Sequence, residues 1–533
     1  MAAPSDLRDA IGARLVQLGL AAPTDLNLER PRNPDHGDWA VNCFPLAKGS
    51  SYAGPALAAA LADSLNADPP RHVAKAEAVG GFLNLRLHDT WLHDILRSVV
   101  ADGVERFGRT DAGIGRSINI EFVSANPTGP LHAAHGRWAA YGDSLARVLE
   151  RTGWTVQREF YVNDRGAQLQ RFGESLAAAK LDQPVPEDGY RGAYVEEWSA
   201  EMPADVDPVA WGRDRAIDDQ RQTLASMGVA FDRWSSEKAL VDSGAMEATL
   251  TELRQLGHVY DDDGAVWLRT TEFGDDRDRV LVRSDGEPTY FLPDIAYHRD
   301  KLGRADHLID IWGADHHSYM SRVQIAVQAL NHRREDLEII IGQNVVLLRA
   351  GEEVKLSKRK GDIILLREDV IDEVGPDATR FTYLMQSIDT KLVFDLDVVV
   401  RRSLDNPVFY VQMAHARLAG IARNAAAKGV TREPLDAVDL GVLVHSREHE
   451  ILTILNDLPT VITEAADRRA PNKLATWTRE LASAVHGFHH DCWVVADDVA
   501  PELSQARLWL VEAARTGLVV ALEVLGVAAP DQM

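Results

Sequence analysis

Two short segments, far apart in the chain, carry side chains suited to binding a polyphosphate. The first places His132 and His135 three positions apart, directly after a turn rich in Pro and Gly. The second carries Lys355, Ser357 and Lys358 within a run of cations that ends in a glycine. Imidazole and ammonium groups can neutralise phosphate oxygens from two sides, and phosphoryl and adenylyl transfer depend mostly on positioning and charge stabilisation. The pair therefore predicts a site for nucleotide chemistry.

His132 and His135 stand where a helix is predicted to begin, so both rings are expected on the same side of it. The helix N-terminus adds partial positive charge and unsatisfied N–H groups, which favour a phosphate. Adenylyl transfer there needs no protein nucleophile, because a substrate carboxylate can attack the α-phosphorus while pyrophosphate leaves. Two ordinary histidines at a helix cap are the alternative. The second, lysine-rich segment favours the functional interpretation.

Further segments accompany the two motifs in a fixed order. They are EFVSANPTGP at 121–130, YVNDRGAQ at 161–168, YFLPDIAY at 290–297, WGADHH at 312–317 and DNPVFYVQMAHAR at 405–417. The histidine and lysine segments resemble the HIGH and KMSKS signatures of class I aminoacyl-tRNA synthetases. The accompanying segments narrow the resemblance to the arginyl-tRNA synthetase family, and it runs essentially from end to end of the chain. An ordered series of this kind is far more specific than a lone His-x-x-His.

The resemblance implies an α/β fold with three parts. These are a class I Rossmann-type catalytic domain, an N-terminal α+β domain and a C-terminal all-α anticodon-binding bundle. The predicted boundaries are 1–112 for the N-terminal tRNA-contacting domain, 113–374 for the catalytic domain with an insertion at about 166–275, and 375–533 for the helical domain. The implied activity is an arginine–tRNA ligase. It would form arginyl-adenylate from L-arginine and ATP, with Mg²⁺ bound through ATP, and transfer arginine to tRNA(Arg), which must bind before activation.

A pocket for the substrate arginine is also implied, built from Glu121, Ser124, Asn126, Tyr290 and Asp294. A guanidinium is planar and prefers a bidentate carboxylate, a demand that Asp294 with Tyr290 beside it would meet. Glu121 would form a second acidic wall, and Asn126 would hold the α-amino group. Lysine would be rejected, because an ammonium leaves acceptors unpaired in a site built for a planar fork. The structural alternatives are a helix cap for Asp294 and a core aromatic for Tyr290.

For ATP, the resemblance implies a longer set of residues: His132, His135, Gly136, Gly313, Asp315, His316, Lys355, Leu356, Ser357 and Lys358. The two histidines and Lys358 are the predicted catalytic residues. A Lys ammonium is a compact point charge suited to the charge that develops on the leaving pyrophosphate. A helix N-cap is the alternative for Asp315, and a solvated basic loop is the alternative for the lysine segment.

Two positions within the histidine and lysine segments depart from the family's pattern. Ala134 stands where the family usually has a glycine that lets adenine lie against the backbone. Its methyl group either crowds the base or is tolerated, and it raises helix propensity by roughly 1 kcal/mol. Leu356 replaces the usual Met, an apolar exchange of small consequence. The histidines also raise the alternative of a zinc site, but neither a nearby cysteine nor a His-Glu-x-x-His pattern supports it, so no protein metal site is predicted.

In the C-terminal third, Tyr410, Gln412 and Arg417 resemble residues of an anticodon-binding bundle and are the predicted tRNA contacts. Unpaired bases are typically read by stacking and by hydrogen bonds to their edges. Core packing is the alternative for Tyr410. The resemblance further implies that the N-terminal domain contacts the corner of the tRNA, with an independent structural appendage as the alternative.

Bulk properties set limits on the class of protein. At 533 residues the chain is too long for one core, and with 45% apolar and 26% charged residues it has an ordinary globular composition. Neither an apolar stretch of membrane-spanning length nor a secretion signal is found in the sequence. The two cysteines, Cys43 and Cys492, fit a reducing compartment. A cytoplasmic monomer without membrane contact is therefore expected.

The charge balance does not point to RNA. A formal net charge of −24 argues against indiscriminate nucleic-acid binding. The tRNA partner is therefore implied by the resemblance alone. It would require a confined basic track, and binding would weaken with salt.

Hydrophobic periodicity predicts the elements that must position these residues. A strand–helix–strand unit with strands at 118–122 and 155–162 surrounds the histidines and is typical of a doubly wound nucleotide fold. Further strands are predicted at 80–87, 337–342 and 345–348, an opening amphipathic helix around residues 7–18, and long helices at 401–427 and 505–525. The insertion is predicted to be rich in helix, and the chain to be helical from about 375 to its end.

Two other functional hypotheses stay open from sequence. One is a specialised paralogue with altered or weak aminoacylation activity, which the alanine at position 134 motivates. The other is a different nucleotidyltransferase that shares the HIGH-type fold. The N-terminal appendage, the arginine pocket and the helical C-terminus argue against the second.

Overall fold

The N-terminal part of the chain is a small α+β unit. The computed structural model describes residues 2–23, 26–31, 33–314, 319–354 and 364–533. Its first elements are α1 (Ala2–Gln17), β1 (Trp39–Asn42), α2 (Cys43–Ala47), α3 (Gly54–Ala67), β2 (Val73–Val79), β3 (Phe82–Leu87) and α4 (Thr90–Arg106). The three strands form an antiparallel sheet in the order β1-β3-β2. The predicted opening helix and the strand predicted at 80–87 are both confirmed.

The middle of the chain is built around a parallel sheet. Its elements are β4 (Ser117–Glu121), α5 (Ala133–Arg151), β5 (Thr155–Val162), α6 (Ala167–Lys180), α7 (Ala193–Glu201), α8 (Pro208–Ser226), β6 (Arg233–Ser236), α9 (Glu237–Asp242), α10 (Ala245–Gln255), β7 (Val259–Asp262), β8 (Ala265–Leu268), β9 (Arg279–Val282), α11 (Phe291–Leu302), β10 (His307–Gly313), α12 (Met320–Ala329) and β11 (Leu337–Gly342). The sheet order is β6-β5-β4-β10-β11, and every neighbouring pair is parallel. The order reverses between β4 and β10, which is where doubly wound sheets form a ligand crevice.

The insertion predicted at about 166–275 is not one continuous excursion. Strand β6 lies inside that range but pairs with β5 at the edge of the parallel sheet. The chain therefore leaves the sheet twice. The first excursion, α6 to α8, has its own core around Phe172 and Trp198. The second contains the antiparallel strands β7, β8 and β9 as well as helices, and the range as a whole is rich in helix as predicted.

The C-terminal part begins with a second small sheet and ends in long helices. Its elements are β12 (Val345–Arg349), β13 (Glu352–Glu353), a π-helical turn (Arg367–Ile371), α13 (Asp372–Val374), α14 (Pro376–Leu384), β14 (Leu392–Asp395), α15 (Leu396–Val399), α16 (Pro407–Ala427), α17 (Ser446–Asp467), α18 (Asn472–Asp491) and α19 (Pro501–Leu525). Strand β14 pairs in parallel with β12, so the prediction of helix alone after residue 375 was wrong. The missed strand is four residues long and binds a partner about fifty residues away, which local periodicity does not reveal.

The first long helix of the bundle starts later than predicted. The periodic pattern suggested a start at residue 401, but α16 begins at Pro407. Proline suits the first helical position because it lacks an N–H. The side chain of Asn406 caps the helix by accepting from the backbone N–H groups of Val408 and Phe409.

A buried arginine joins four elements around helix α5. The guanidinium of Arg380 on α14 donates to Asp143 of α5 at 2.6 Å, to the carbonyl of Leu525 at the end of α19, and to the carbonyl of Met227 just after α8. The side chain of Arg380 is fully buried. A Cβ at Gly526 would lie within 2.6 Å of this guanidinium, so only glycine fits there. Helix α5 is thereby fixed to the helical C-terminal part.

Contacts between the N-terminal unit and the bundle are also extensive, since α4 packs on α17 and α19. The domain boundaries at 112 and 374 stay predictions. Within the described ranges, no helix is long and apolar enough to cross a membrane.

Candidate active site

A large cavity opens at the carboxyl ends of the parallel strands, at the switch point between β4 and β10. Its volume is about 970 Å³. The residues that line it include most of the described residues predicted for the site: Glu121, Ser124, Asn126, His132, His135, Tyr290, Asp294 and Gly313. One cavity therefore brings together the residues assigned separately to arginine and to the nucleotide.

The two histidines form a stacked pair at the start of α5. His132 is the N-cap residue, and His135 lies in the first turn of the helix. Their ring centroids are 3.6 Å apart, with 24° between the planes. The backbone N–H of His132 donates to Nδ1 of His135 at 3.2 Å, so in the neutral ring the proton sits on Nε2. A ring N–H is the kind of donor that suits a phosphate oxygen.

An indole forms the wall beside this pair. The ring of Trp138 lies edge-on to His135, with centroids 5.4 Å apart. It rests on Gly313 and Gly342, where strands β10 and β11 end. A Cβ at Gly342 would overlap the indole nitrogen, and one at Gly313 would lie 3.2 Å from the ring. The two glycines therefore let the flat ring lie on the end of the sheet, a surface suited to a planar base.

Gly136 and Ala134 face the protein rather than the cavity. A Cβ at Gly136 would lie 2.5 Å from Leu366 and 2.9 Å from Tyr383, so this glycine allows close packing of α5. Sequence reasoning missed that packing role, and contact of Gly136 with ATP stays a prediction. The methyl group of Ala134 packs against the hydrophobic core and is not part of the cavity wall. Crowding of adenine by Ala134, which the sequence left open, is therefore not supported by this geometry.

The chain that follows the lysine-rich segment returns directly to the histidines. Leu365 forms an antiparallel bridge with His132 and lines the cavity. The N–H of Ala133 donates to the carbonyl of Ile364 at 3.1 Å, and the N–H of Leu366 donates to that of Leu131 at 2.8 Å. The predicted ATP residues Lys355, Leu356, Ser357 and Lys358 lie outside the described residues, as do Asp315 and His316.

Asp294 lies in the first turn of α11, with its carboxyl group facing the cavity. The hydroxyl of Tyr319 donates to this carboxylate at 2.5 Å. Burial raises the pKa of Asp294 to about 6, and the hydrogen bond from Tyr319 opposes part of that rise. Tyr290 precedes the helix at the cavity's edge and is 85% exposed, so it is not the core aromatic that was the alternative.

Glu121, the predicted second acidic wall, belongs to a buried ionic cluster. Its carboxylate accepts from the ammonium of Lys301 at 2.7 Å, and the same ammonium donates to Asp310 at 2.5 Å. Lys301 and Asp310 are fully buried. Burial raises the pKa of Glu121 even though Lys301 opposes it. For Asp310 the two cations, Lys301 and His298, outweigh burial and hold the pKa below its usual range.

His298 completes the cluster with both ring nitrogens. Nε2 lies 2.8 Å from the carboxylate of Asp310, and Nδ1 lies 2.8 Å from the backbone carbonyl of Asp294. Both oxygens are acceptors when Asp310 is ionised, so both ring nitrogens are placed to donate. Lys301 and His298 thus hold Glu121 and Asp310 in one hydrogen-bonded cluster beside Asp294, whose carboxyl group faces the cavity.

The turn between β4 and α5 carries the remaining predicted residues. The hydroxyl of Ser124 donates to Glu121 at 2.9 Å and accepts from the N–H of Tyr161 at 3.1 Å. The side-chain amide of Asn126 donates to Gln168 of α6 at 2.8 Å. Val123 and Ser124 both adopt positive φ, at 69° and 40°, which costs on the order of 1–3 kcal/mol per residue. Surrounding contacts must therefore hold this turn in place.

Sequence reasoning missed Lys301, His298, Asp310 and Tyr319. The signal for the cluster was present in two forms. Asp294, His298 and Lys301 are spaced i, i+4 and i+7, which places three titratable groups on one helix face. Asp310 is a charged residue inside an otherwise apolar strand. For Tyr319 we find no sequence signal beyond its aromatic side chain.

The predicted tRNA residues on α16 differ in their surroundings. Tyr410 is partly buried, and its ring lies edge-on to His486 with centroids 4.5 Å apart. The guanidinium of Arg417 donates to Nδ1 of the same histidine, His486, at 2.8 Å. Gln412 is buried, and its amide donates to Asp377 and to the carbonyl of Ala528. This amide ties the chain's end to α14, and contact of Gln412 with tRNA stays a prediction.

No group of three or more His, Cys, Asp or Glu side chains suited to a metal ion is found in the part of the chain that the structure describes. The zinc alternative would use His132 and His135 together with His316 and His317, and the last two lie outside the described residues.

The sheet order, the histidine pair and the position of the cavity define a class I aminoacyl-tRNA synthetase. In agreement, the family model "tRNA synthetases class I (R), catalytic domain" matches residues 98–191 and 211–397. The models "Arginyl tRNA synthetase N terminal domain" and "DALR anticodon binding domain" match residues 5–87 and 411–533.

Relatives from other organisms narrow the class further. The chain is 44% identical to an arginine–tRNA ligase of Frankia alni over 99% of this chain and 100% of that protein. It is 42% identical to that of Kineococcus radiotolerans over 99% and 98% of the two chains. The solved arginyl-tRNA synthetase of Thermus thermophilus shares the fold with a TM-score of 0.77 at 23% identity, each chain being covered completely. The chain belongs to the arginyl-tRNA synthetase family.

Proposed function

We propose that this protein is an arginine–tRNA ligase that activates L-arginine with ATP and transfers it to tRNA(Arg). The observation that carries the proposal is the single cavity lined by both the histidine pair and Asp294. A nucleotide and a cationic amino acid bound in one cavity can react directly. The arginine carboxylate attacks the α-phosphorus, pyrophosphate leaves, and a terminal ribose hydroxyl of tRNA then attacks the activated carbonyl and releases AMP.

The acidic side of the cavity is proposed to hold the arginine. Asp294 would receive the guanidinium, since a carboxylate already oriented by Tyr319 offers a planar acceptor. Tyr290 at the rim would cover the side chain, and Glu121 would set the negative potential of the wall. Ser124 and Asn126 would orient the α-amino group. Binding a cation there also lowers the cost of keeping Asp294 ionised.

The opposite side is proposed to hold ATP. The Nε2–H of His135 and the N-terminus of α5 would meet the α-phosphate, while Trp138 and Gly313 would face the base. The bridge between His132 and Leu365 supports a role for Lys358, because the chain leaving the lysine-rich segment is anchored at the phosphate side. Lys355, Leu356, Ser357, Asp315 and His316 remain proposed ATP residues from sequence alone. Mg²⁺ is proposed to arrive bound to ATP, where it supplies charge neutralisation of the phosphates.

Tyr410 and Arg417 are proposed to contact the tRNA from α16. Because the net charge is −24, any tRNA surface must be a confined one, and complex formation should weaken with salt. A cytoplasmic monomer is the proposed working form.

The test is exchange of labelled pyrophosphate into ATP, run with and without arginine and with and without tRNA. We expect exchange only when both are present. Binding of arginine without exchange would indicate a weak paralogue, and exchange with another acid would indicate a different nucleotidyltransferase. Either result would contradict the proposal.

Two matched pairs of variants assign the roles. Asp294→Ala should raise the KM for arginine, whereas Asp262→Ala, at an exposed carboxylate on β7, should not. Lys358→Ala should chiefly lower kcat of exchange, whereas Lys360→Ala in the same segment should have a smaller effect. An unchanged arginine KM in Asp294→Ala would overturn the pocket assignment.

A further inference from the structure

Helices α7 and α8, in the first excursion from the parallel sheet, hydrogen-bond to the turn that precedes the histidine pair. The side-chain amide of Gln220, on α8, donates to the carbonyls of Asn126 and Gly129, at 3.0 Å each. The ring of Tyr194, on α7, lies against Gly129, and its hydroxyl donates to the carbonyl of Thr128 at 3.4 Å. Three backbone carbonyls of the turn, those of Asn126, Thr128 and Gly129, are thus held from outside the sheet.

The turn requires such external support. The last backbone hydrogen bond of the β4 ladder with β5 runs from the N–H of Phe122 to the carbonyl of Glu159, so the parallel ladder does not hold the backbone from Val123 onward. Val123 and Ser124 have positive φ, a conformation that side chains with a Cβ rarely adopt, and Gly129 has φ of 156°. The turn therefore keeps its shape only where neighbouring groups fix it.

Gln220 makes two of the three hydrogen bonds from α7 and α8 to this turn. Its side chain is 1% exposed, and both amide hydrogens are directed at carbonyl oxygens. Reversing the amide would set its oxygen against two acceptors, so the orientation is determined by the turn. The two residues that it holds, Asn126 and Gly129, both line the cavity.

We propose that Gln220 is a positioning residue for amino-acid activation, which fixes the turn at residues 126–130 so that Asn126 faces the substrate's α-amino group. The inference rests on the proposed function and extends it to a residue that touches no substrate. The histidine pair has separate anchors in α5 and in the bridge to Leu365. Loss of Gln220 should therefore displace the arginine side of the turn more than the ATP side.

The test is Gln220→Met, which keeps the length and helix propensity of the side chain but removes both N–H donors. The matched control is Gln222→Met on the same helix, where the side chain is exposed and bonds only to Asp218 in the described part of the chain. Both are compared with the wild-type chain in tRNA-dependent pyrophosphate exchange, with melting curves recorded alongside.

We expect kcat of Gln220→Met to fall by on the order of 10- to 100-fold, since a displacement of about 1 Å can cost this much. The KM for arginine should rise, and the KM for ATP should stay within about twofold of the control. Tyr194→Phe, which removes one weak hydrogen bond and keeps the ring, should show a smaller loss in the same direction.

Three results would overturn the inference. The first is a Gln220→Met enzyme with kcat and arginine KM equal to those of Gln222→Met. The second is a loss that matches the unfolded fraction in the melting curve, which would give Gln220 a folding role alone. The third is equal weakening of arginine and ATP. Should the wild-type chain itself lack arginine-dependent exchange, the proposed function fails and this inference fails with it.

Discussion

At the scale of single residues, the site combines Asp294, whose pKa is raised by burial to about 6, with an ionic cluster built around Lys301. Asp294 faces the cavity, while Glu121 and Asp310 share the ammonium of Lys301 and Asp310 also contacts His298. A cation entering the cavity therefore meets the carboxyl group of Asp294, whose hydrogen-bond partner is the hydroxyl of Tyr319. If Asp294 receives the guanidinium as proposed, arginine binding should be sensitive to pH.

Arginine affinity should fall as the pH is lowered through about 6. The pKa of Asp294 is raised to about 6, so the carboxylate that receives the guanidinium takes up a proton below that value. We expect the dissociation constant to rise about tenfold per pH unit below the pKa and to level off above pH 7. Calorimetric titration of arginine across this range measures it. A constant affinity would show that Asp294 does not make the contact.

Ionisation of Asp294 should also lower the free energy of unfolding of the protein. A folded-state pKa above the ordinary value of 3.8 means that folding favours the protonated form, so stability falls as the pH rises from about 4 to about 6. Asp294→Asn removes this cost and keeps an acceptor for Tyr319. At neutral pH we expect a gain on the order of 1 kcal/mol, seen as a higher melting temperature, together with loss of arginine binding. A lower melting temperature would contradict the assigned pKa.

At the scale of elements, helix α5 is held at its start by close packing that sequence motifs do not reveal. Gly136 belongs to the family's histidine signature and was assigned to ATP, yet its missing Cβ is what admits Leu366 and Tyr383. The hydroxyl of Tyr383 donates to the carbonyl of Ala133 at 2.7 Å and fixes the first turn.

Gly136→Ala should therefore damage both stability and activation. The added methyl group would lie 2.5 Å from Leu366, and overpacking of this kind costs about 1–3 kcal/mol. The control is Gly12→Ala in helix α1, where a Cβ meets nothing within 4 Å and the change should be neutral or stabilising by about 0.5–1 kcal/mol. Melting temperature and pyrophosphate exchange measure both. Equal behaviour of the two variants would refute the packing role.

The elements that sequence predicted correctly are those with local signals. Strands β4 and β5 and the helix between them follow from periodicity and from Gly153, which ends the helix region. Strands β6 and β14 were missed because each is four residues long and is stabilised by a distant partner. The cavity residues that were predicted from sequence all belong to the recognised motifs. Lys301 and Gln220 act through contacts made only after folding, which spacing along the chain cannot specify.

At the scale of the whole molecule, Arg380 connects the helical C-terminal part to the helix that begins at the histidine pair. Its guanidinium contacts α5, the end of α19 and the residue after α8. The side chains of both Arg380 and Asp143 are buried, so the pair is shielded from water and from salt.

Arg380→Met should destabilise the protein as a whole. Removing one partner of a buried pair typically costs about 3–5 kcal/mol, because the other charge stays buried. Arg147 also contacts Asp143, so it should reduce the loss of stability by keeping a cation beside this carboxylate. The control is Arg349→Met, whose partner Glu373 is at the surface and whose loss should cost about 1 kcal/mol or less. Thermal denaturation compares the two, and equal melting temperatures would contradict the role of Arg380.

The most direct test of the account is the attachment of labelled amino acids to tRNA by the purified full-length chain. We expect arginine to be attached to tRNA(Arg) in an ATP-dependent reaction and lysine not to be attached. We also expect Asp294→Ala to lose most of the charging at low arginine concentration. Charging with lysine, or arginine charging that is unaffected by Asp294→Ala, would contradict the claim that one acidic cavity beside the histidine pair selects the amino acid.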